Sequence, residues 1–115
     1  MSNQRVTIEI KQGAAWKATV QIKNGGIVRD LTGYEAHMQL REKVGSPVIV
    51  DLNTSNGLIA INTTNNTISI NIPAASTKTF TFTKAEFDLF IVPPASDPEK
   101  ILEGTASLIK SITVF

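Results

Sequence analysis

Among its 115 residues the sequence has no cysteine, one histidine, one tryptophan and one tyrosine. The lack of cysteine excludes disulfides and thiolate metal sites and leaves the compartment open on that count. One tryptophan and one tyrosine are few for a carbohydrate-binding or adhesion face, which relies on exposed rings. Long apolar runs are missing too. Nothing approaches the roughly 20 apolar residues of a membrane span, and "MSNQRVTIEIKQG" lacks the apolar core of a signal peptide. The expectation is therefore synthesis in the cytoplasm without membrane insertion. Neither sign of charge predominates: eleven Lys and Arg face ten Asp and Glu, a formal charge of +1. That balance gives no electrostatic footprint for nucleic acid or an anionic membrane.

What the sequence does contain is period-two alternation. Apolar residues make up 42% and charged residues 18%, the composition of a globular chain whose length suits one domain over residues 1–115. "RVTIEIK" sets Val6, Ile8 and Ile10 against Thr7, Glu9 and Lys11, and "AWKATVQIK" sets Trp16, Ala18, Val20 and Ile22 against Lys17, Thr19, Gln21 and Lys23. Each reads as a strand with one face buried and one in water. Asn24-Gly25-Gly26 tolerates positive φ, which predicts a hairpin from about residue 15 to about residue 30. In "DLTGYEAHMQLRE" the turn residues Asp30, Thr32 and Gly33 precede Tyr34, Ala36, Met38 and Leu40, alternating with Glu35, His37, Gln39 and Arg41.

Further strands follow at "PVIVDLN", "LIAIN", "TISINI" and "AEFDLFIV", separated by turn residues. Pro73 suits the first position of a single helical turn. "KILEGTASLIKSITVF" reads as one long strand or two short ones bent near Gly104. About eight or nine short strands, with no amphipathic helix, predict an all-β antiparallel sandwich or small barrel.

No catalytic constellation emerges. His37 is the only histidine; a general base needs an orienting partner and a nucleophile within reach, and its strand neighbours on the same face are Glu35 and Gln39. Glu86 and Asp88, like Asp97 and Glu99, lack the Gly-containing ligand loop or second cluster expected of a calcium site. Gly25 and Gly26 precede no helix pattern, so they are not a phosphate loop. The Asn-X-Ser/Thr triplets at Asn53, Asn62 and Asn65 read as turn decoration. The expectation is a protein with no catalytic, cofactor-binding or metal-ligating residues.

The order of segments "QGAAWKATVQIK", "DLTGYEAHMQLRE", "SPVIVDL", "ISINIPAA", "FDLFIV" and "ILEGTASLIKSITV" resembles a family of small tailed-phage and prophage proteins. These are similar to the N-terminal domain of the siphophage baseplate upper protein. The resemblance implies an immunoglobulin-like β-sandwich serving as a virion structural part in the tail, baseplate or neck. It also implies virion proteins as partners, and a homo-oligomer such as a trimer or hexamer would match particle symmetry. A capsid-surface decoration protein is the alternative within that class. The sequence ends at Phe115, where baseplate upper proteins continue into a linker and a further domain, so a free building block is expected.

Two places stand out as an interface. "STKTFTFTK" is longer and richer in Thr and Phe than the corresponding turn of many relatives, which points to Phe80 and Phe82 as contact residues. "SITVF" has no charge after Lys110 and is expected to be an edge strand, contributing Thr113 and Phe115. "RVTIEIK" is the other expected edge.

Overall fold

The alternating apolar residues become the inward faces of the strands of two packed sheets. The computed structural model describes residues 4–113. In chain order they form β1 (Gln4–Lys11), β2 (Trp16–Val20), β3 (Lys23–Asn24), β4 (Ile27–Val28), β5 (Glu35–Arg41), β6 (Val48–Asn53), β7 (Ile59–Asn62) and β8 (Thr67–Ile72). The helical turn α1 (Ala74–Thr77), β9 (Lys84–Val92) and β10 (Glu99–Ile109) complete the order. The count exceeds the expected eight or nine because β3 and β4 form a two-residue ladder of their own.

One sheet has the order β1-β10-β9-β5-β6 and the other β2-β8-β7. This is the immunoglobulin-like arrangement. The strands β2, β8 and β7 stand as B, E and D, and β6, β5, β9 and β10 as C′, C, F and G. One feature departs from the expected antiparallel sandwich: β1 runs parallel to β10, Arg5 facing Glu103 and Ile10 facing Leu108. Parallel pairing needs a long connection between its strands, and here nearly the whole domain supplies it.

The core lies between the sheets. Ala36, Met38 and Leu40 of β5, Ala85, Phe87, Leu89 and Ile91 of β9, and Ile68, Ile70 and Ile72 of β8 are buried there. The odd-even order of each strand decides this, as the alternation predicts. Gly104 sits in mid-strand, opposite Val6. A Cβ at that position would overlap the Val6 carbonyl oxygen, so the glycine permits close approach of β1. The irregularity of β10 lies earlier, between Lys100 and Leu102.

The stretch from Asp30 to Tyr34 is a corner. The Asp30 carboxylate accepts bonds from the Thr32 N–H (3.0 Å) and hydroxyl (2.7 Å), and Leu31 is fully buried. Gly33 has φ +79°, and a Cβ there would come within 2.9 Å of Pro94 Cγ. Across the sandwich, Asn66 Oδ1 accepts the Leu31 N–H at 3.1 Å.

Four expectations need correction. The hairpin at Asn24-Gly25-Gly26 joins only β3 to β4, extended by the Arg29 N–H on the Ile22 carbonyl. The strand before it, β2, pairs instead with β8, Trp16 facing Ile72, where its apolar face finds three isoleucines. Trp16 is half-buried rather than a core residue, because β2 is an edge strand with one open flank; Tyr34 is half-buried as well. Finally, the part of "SITVF" within the described residues, 111–113, is not an edge strand. The strand β10 ends at Ile109 and lies between β1 and β9, and residues 110–113 continue outside any strand.

Candidate interaction surface

The expected contact loop is turned inward. Phe80 and Phe82 are each 4% exposed, with ring centroids 5.4 Å apart and planes tilted by 40°. Two aromatic rings alternating with threonines on an extended segment bury too much apolar area to be left in water. They plug the sandwich beside α1 instead, so they are core residues and not an exposed interface. The segment is held by side chains as well as rings. Gln12 Nε2 donates to the Phe80 carbonyl at 2.9 Å, while Gln12 Oε1 accepts the Ser111 N–H at 3.1 Å. Thr77 is fully buried; its hydroxyl donates to the Ala14 carbonyl at 2.9 Å and accepts the Gly13 N–H at 3.1 Å. That hydroxyl ties α1 to the β1–β2 turn. Nothing in the sequence singled out Thr77 or Gln12, since their partners lie more than sixty residues away along the chain.

Of the other two expected contact residues, Thr113 is exposed and its carbonyl accepts the Ser111 hydroxyl at 2.7 Å. Phe115 lies outside the described residues. Ile109 and Ile112 are exposed beside Thr113, and Val44 is exposed at the β5–β6 turn.

The outward face of the five-stranded sheet carries charges of alternating sign. Arg5 lies 3.2 Å from Glu103 and 3.8 Å from Glu86; Lys100 lies 3.8 Å from Asp88 and 3.7 Å from Glu103. Lys100 also stands over the Phe90 ring, 5.6 Å from its centroid. Arg41 donates to the Ser46 carbonyl at 2.6 Å and to Gln39 Oε1 at 3.0 Å. The charged side chains among these, with Gln39, line an open depression of about 160 Å³. The carboxylates that the sequence places two apart on β9, Glu86 and Asp88, are thus each countered by a cation, Arg5 reaching across from β1 and Lys100 from the neighbouring β10. Exposed ion pairs of this kind contribute little to stability. Their surface is one of mixed charge, suited to a partner with charges of both signs.

His37 lies on the same face, half-exposed, with Nε2 3.5 Å from Glu35 Oε1. Among the described residues there is no group of three or more His, Asp or Glu side chains placed to hold a metal ion. Arg29 and Glu99 form a two-pronged pair at 3.0 and 3.3 Å, and this bond to the carboxylate raises the Arg29 pKa above its ordinary value. The Thr32 hydroxyl, with the Thr32 N–H, lowers the pKa of Asp30. The Asn-X-Thr triplets decorate turns: Asn62 Oδ1 accepts the Thr64 N–H at 2.9 Å and Asn65 Oδ1 the Thr67 hydroxyl at 2.8 Å.

The rims of the sandwich differ from one another. The strand β6 follows Pro47 and has a register shift opposite Leu40 and Arg41. At the rims of the smaller sheet, β2 has five residues and β7 four. The rim at β1 is eight residues long and pairs with β10 in unbroken register. Bulges, proline, short length and charged side chains are the usual protections of an edge against pairing; of these β1 has only the charges, on Arg5, Glu9 and Lys11. No family model matches the chain, and no curated protein matches it.

Proposed function

We propose that this protein is a non-enzymatic structural component of a tailed-phage or prophage virion, in the tail, baseplate or neck, acting through protein–protein contacts. The observation that carries this reading is the strand order itself: an immunoglobulin-like sandwich with β1 added in parallel to its last strand. The sandwich is the architecture the family resemblance implies for such building blocks; the parallel β1 is an addition to it. The long unbroken rim at β1 and the mixed-charge outward face of the larger sheet supply contact surfaces. Trp16, Tyr34 and Phe90 are half-buried, and Phe80, Phe82 and Phe87 are buried, which favours this reading over a carbohydrate-binding face built on exposed rings.

Purified particles from the phage or induced prophage test it. Mass spectrometry should find the protein in stoichiometric amount, and antibody labelling should mark the tail, baseplate or neck. Label over the capsid surface would assign a decoration role instead. Particles that lack the protein would overturn the reading.

A further inference from the structure

The free rim of β1 has a pattern that fits a second copy of itself. In a strand, the N–H and C=O of one residue point to the same side and those of the next residue to the other. The Gln12 N–H donates to the Ile109 carbonyl at 2.9 Å, and the Val6 carbonyl faces Gly104. Even-numbered residues therefore bond to β10. The odd-numbered Arg5, Thr7 and Glu9 aim their N–H and C=O groups away from the sheet. The carbonyl of the next outward residue, Lys11, is already engaged by the Ala14 N–H at 3.1 Å. Three residues remain, and Thr7 is the middle one.

We propose that β1 pairs antiparallel with β1 of a second copy about a twofold axis at Thr7, joining two five-stranded sheets into one. The register follows from the parity of the outward groups. Thr7 faces Thr7 of the partner subunit in a hydrogen-bonded pair, and Arg5 faces the partner's Glu9 on either side, six main-chain bonds in all by the antiparallel pattern. Side chains agree with backbone. Arg5, Thr7 and Glu9 are exposed on the outward face, so the register sets a cation against an anion at both ends and threonine against threonine at the centre. Both are favourable cross-strand pairs. On the inward face, half-buried Val6 meets Ile8 of the partner subunit and covers its open flank. Within its own chain Glu9 has no ion pair among the described residues, whereas Arg5 has Glu103 and Glu86. The charged residues that would ordinarily blunt an edge are here self-complementary. An isologous contact of this kind closes as a dimer. Its area is that of a single strand pair, at the small end of specific interfaces, below about 1,200 Å², so the dimer forms weakly in solution.

This proposal goes beyond the virion reading and is tested without particles. Sedimentation of the purified protein over a concentration series should show a reversible monomer–dimer equilibrium. Thr7→Pro removes only an outward N–H and leaves the bonds to β10 in place, a position where an edge strand accepts proline. It should weaken association by at least about tenfold with the melting temperature nearly kept, because two of the six bonds are lost. Glu9→Arg should weaken association comparably through two like-charge contacts. Thr7→Cys should be cross-linked between chains by a short thiol-reactive linker, since the paired Cα atoms lie about 5.5 Å apart in this register; Thr19→Cys on the β2 rim should not. A wild-type monomer at millimolar concentration overturns the proposal. So does a dimer that is indifferent to Thr7→Pro.

Discussion

The buried hydroxyl of Thr77 offers the sharpest test of how the two ends of the chain's first turn are held. Thr77→Val keeps the shape of the side chain and removes the donor to Ala14 and the acceptor of the Gly13 N–H. No cavity is made, so the cost is that of leaving two main-chain groups without a partner. A buried group deprived of its bond costs about 1 to 3 kcal/mol. Gly13 is half-buried and Ala14 exposed, so water takes over part of the second, and the total comes to about 2 to 3 kcal/mol. Unfolding entropy of about 2.1 cal/mol/K per residue gives a chain of this length about 0.24 kcal/mol per degree at the midpoint. The expected fall in melting temperature is therefore about 8 to 12 °C. Differential scanning calorimetry measures it directly. Thr77→Ser, which keeps the hydroxyl and loses one methyl, should lose less than half as much. If Thr77→Val melted with the wild type while Thr77→Ser did not, the hydroxyl's bonds would not be what anchors α1.

Other outcomes follow from the same geometry. Gly104→Ala drives a Cβ into the Val6 carbonyl, a backbone atom that moves only if β1 moves; hydrogen exchange should show β1 amides losing protection while those of β5 and β9 keep theirs. Phe82→Ala should destabilise by about 3 to 5 kcal/mol, read as a shifted urea midpoint, whereas a contact residue on the surface would change the midpoint little. The depressed pKa of Asp30 means its contribution is present above the unfolded value and is lost as pH falls through the folded one. A carboxyl NMR titration should place Asp30 below an ordinary aspartate, and Thr32→Val should move it back up; an ordinary value in the wild type would remove the Thr32 bond from the account.

The faces of the strands were legible because burial in a sheet has a period of two. Ala36, Met38 and Leu40 inward, with Glu35, His37, Gln39 and Arg41 outward, follow from the alternation alone. Pairing partners were less legible, since periodicity says which face is buried and not against whom. Asn24-Gly25-Gly26 signals a turn correctly, yet the strand before it pairs with β8, about fifty residues downstream. Phe80 and Phe82 were misplaced for a related reason. Their alternation with threonine is itself the mark of a half-buried extended segment, but the segment is out of phase with β9, so they read as a loop beside a strand. The Arg5, Glu86, Glu103 and Lys100 network joins three strands whose adjacency emerges only once β1 is laid beside β10.

The parallel pairing of β1 with β10 also determines how the domain resists tension. A pull toward the N-terminus at residue 4 and toward the C-terminus at residue 109 acts on two adjacent strands running the same way. The load then lies along the strands, and the bonds from Gln4 opposite Leu102 to Lys11 opposite Ile109 share it together. In a hairpin pulled at its open end, by contrast, bonds break one at a time, each at low force. Rupture here requires the whole eight-residue ladder to slide at once, so the domain is a stiff mechanical link along its own chain direction.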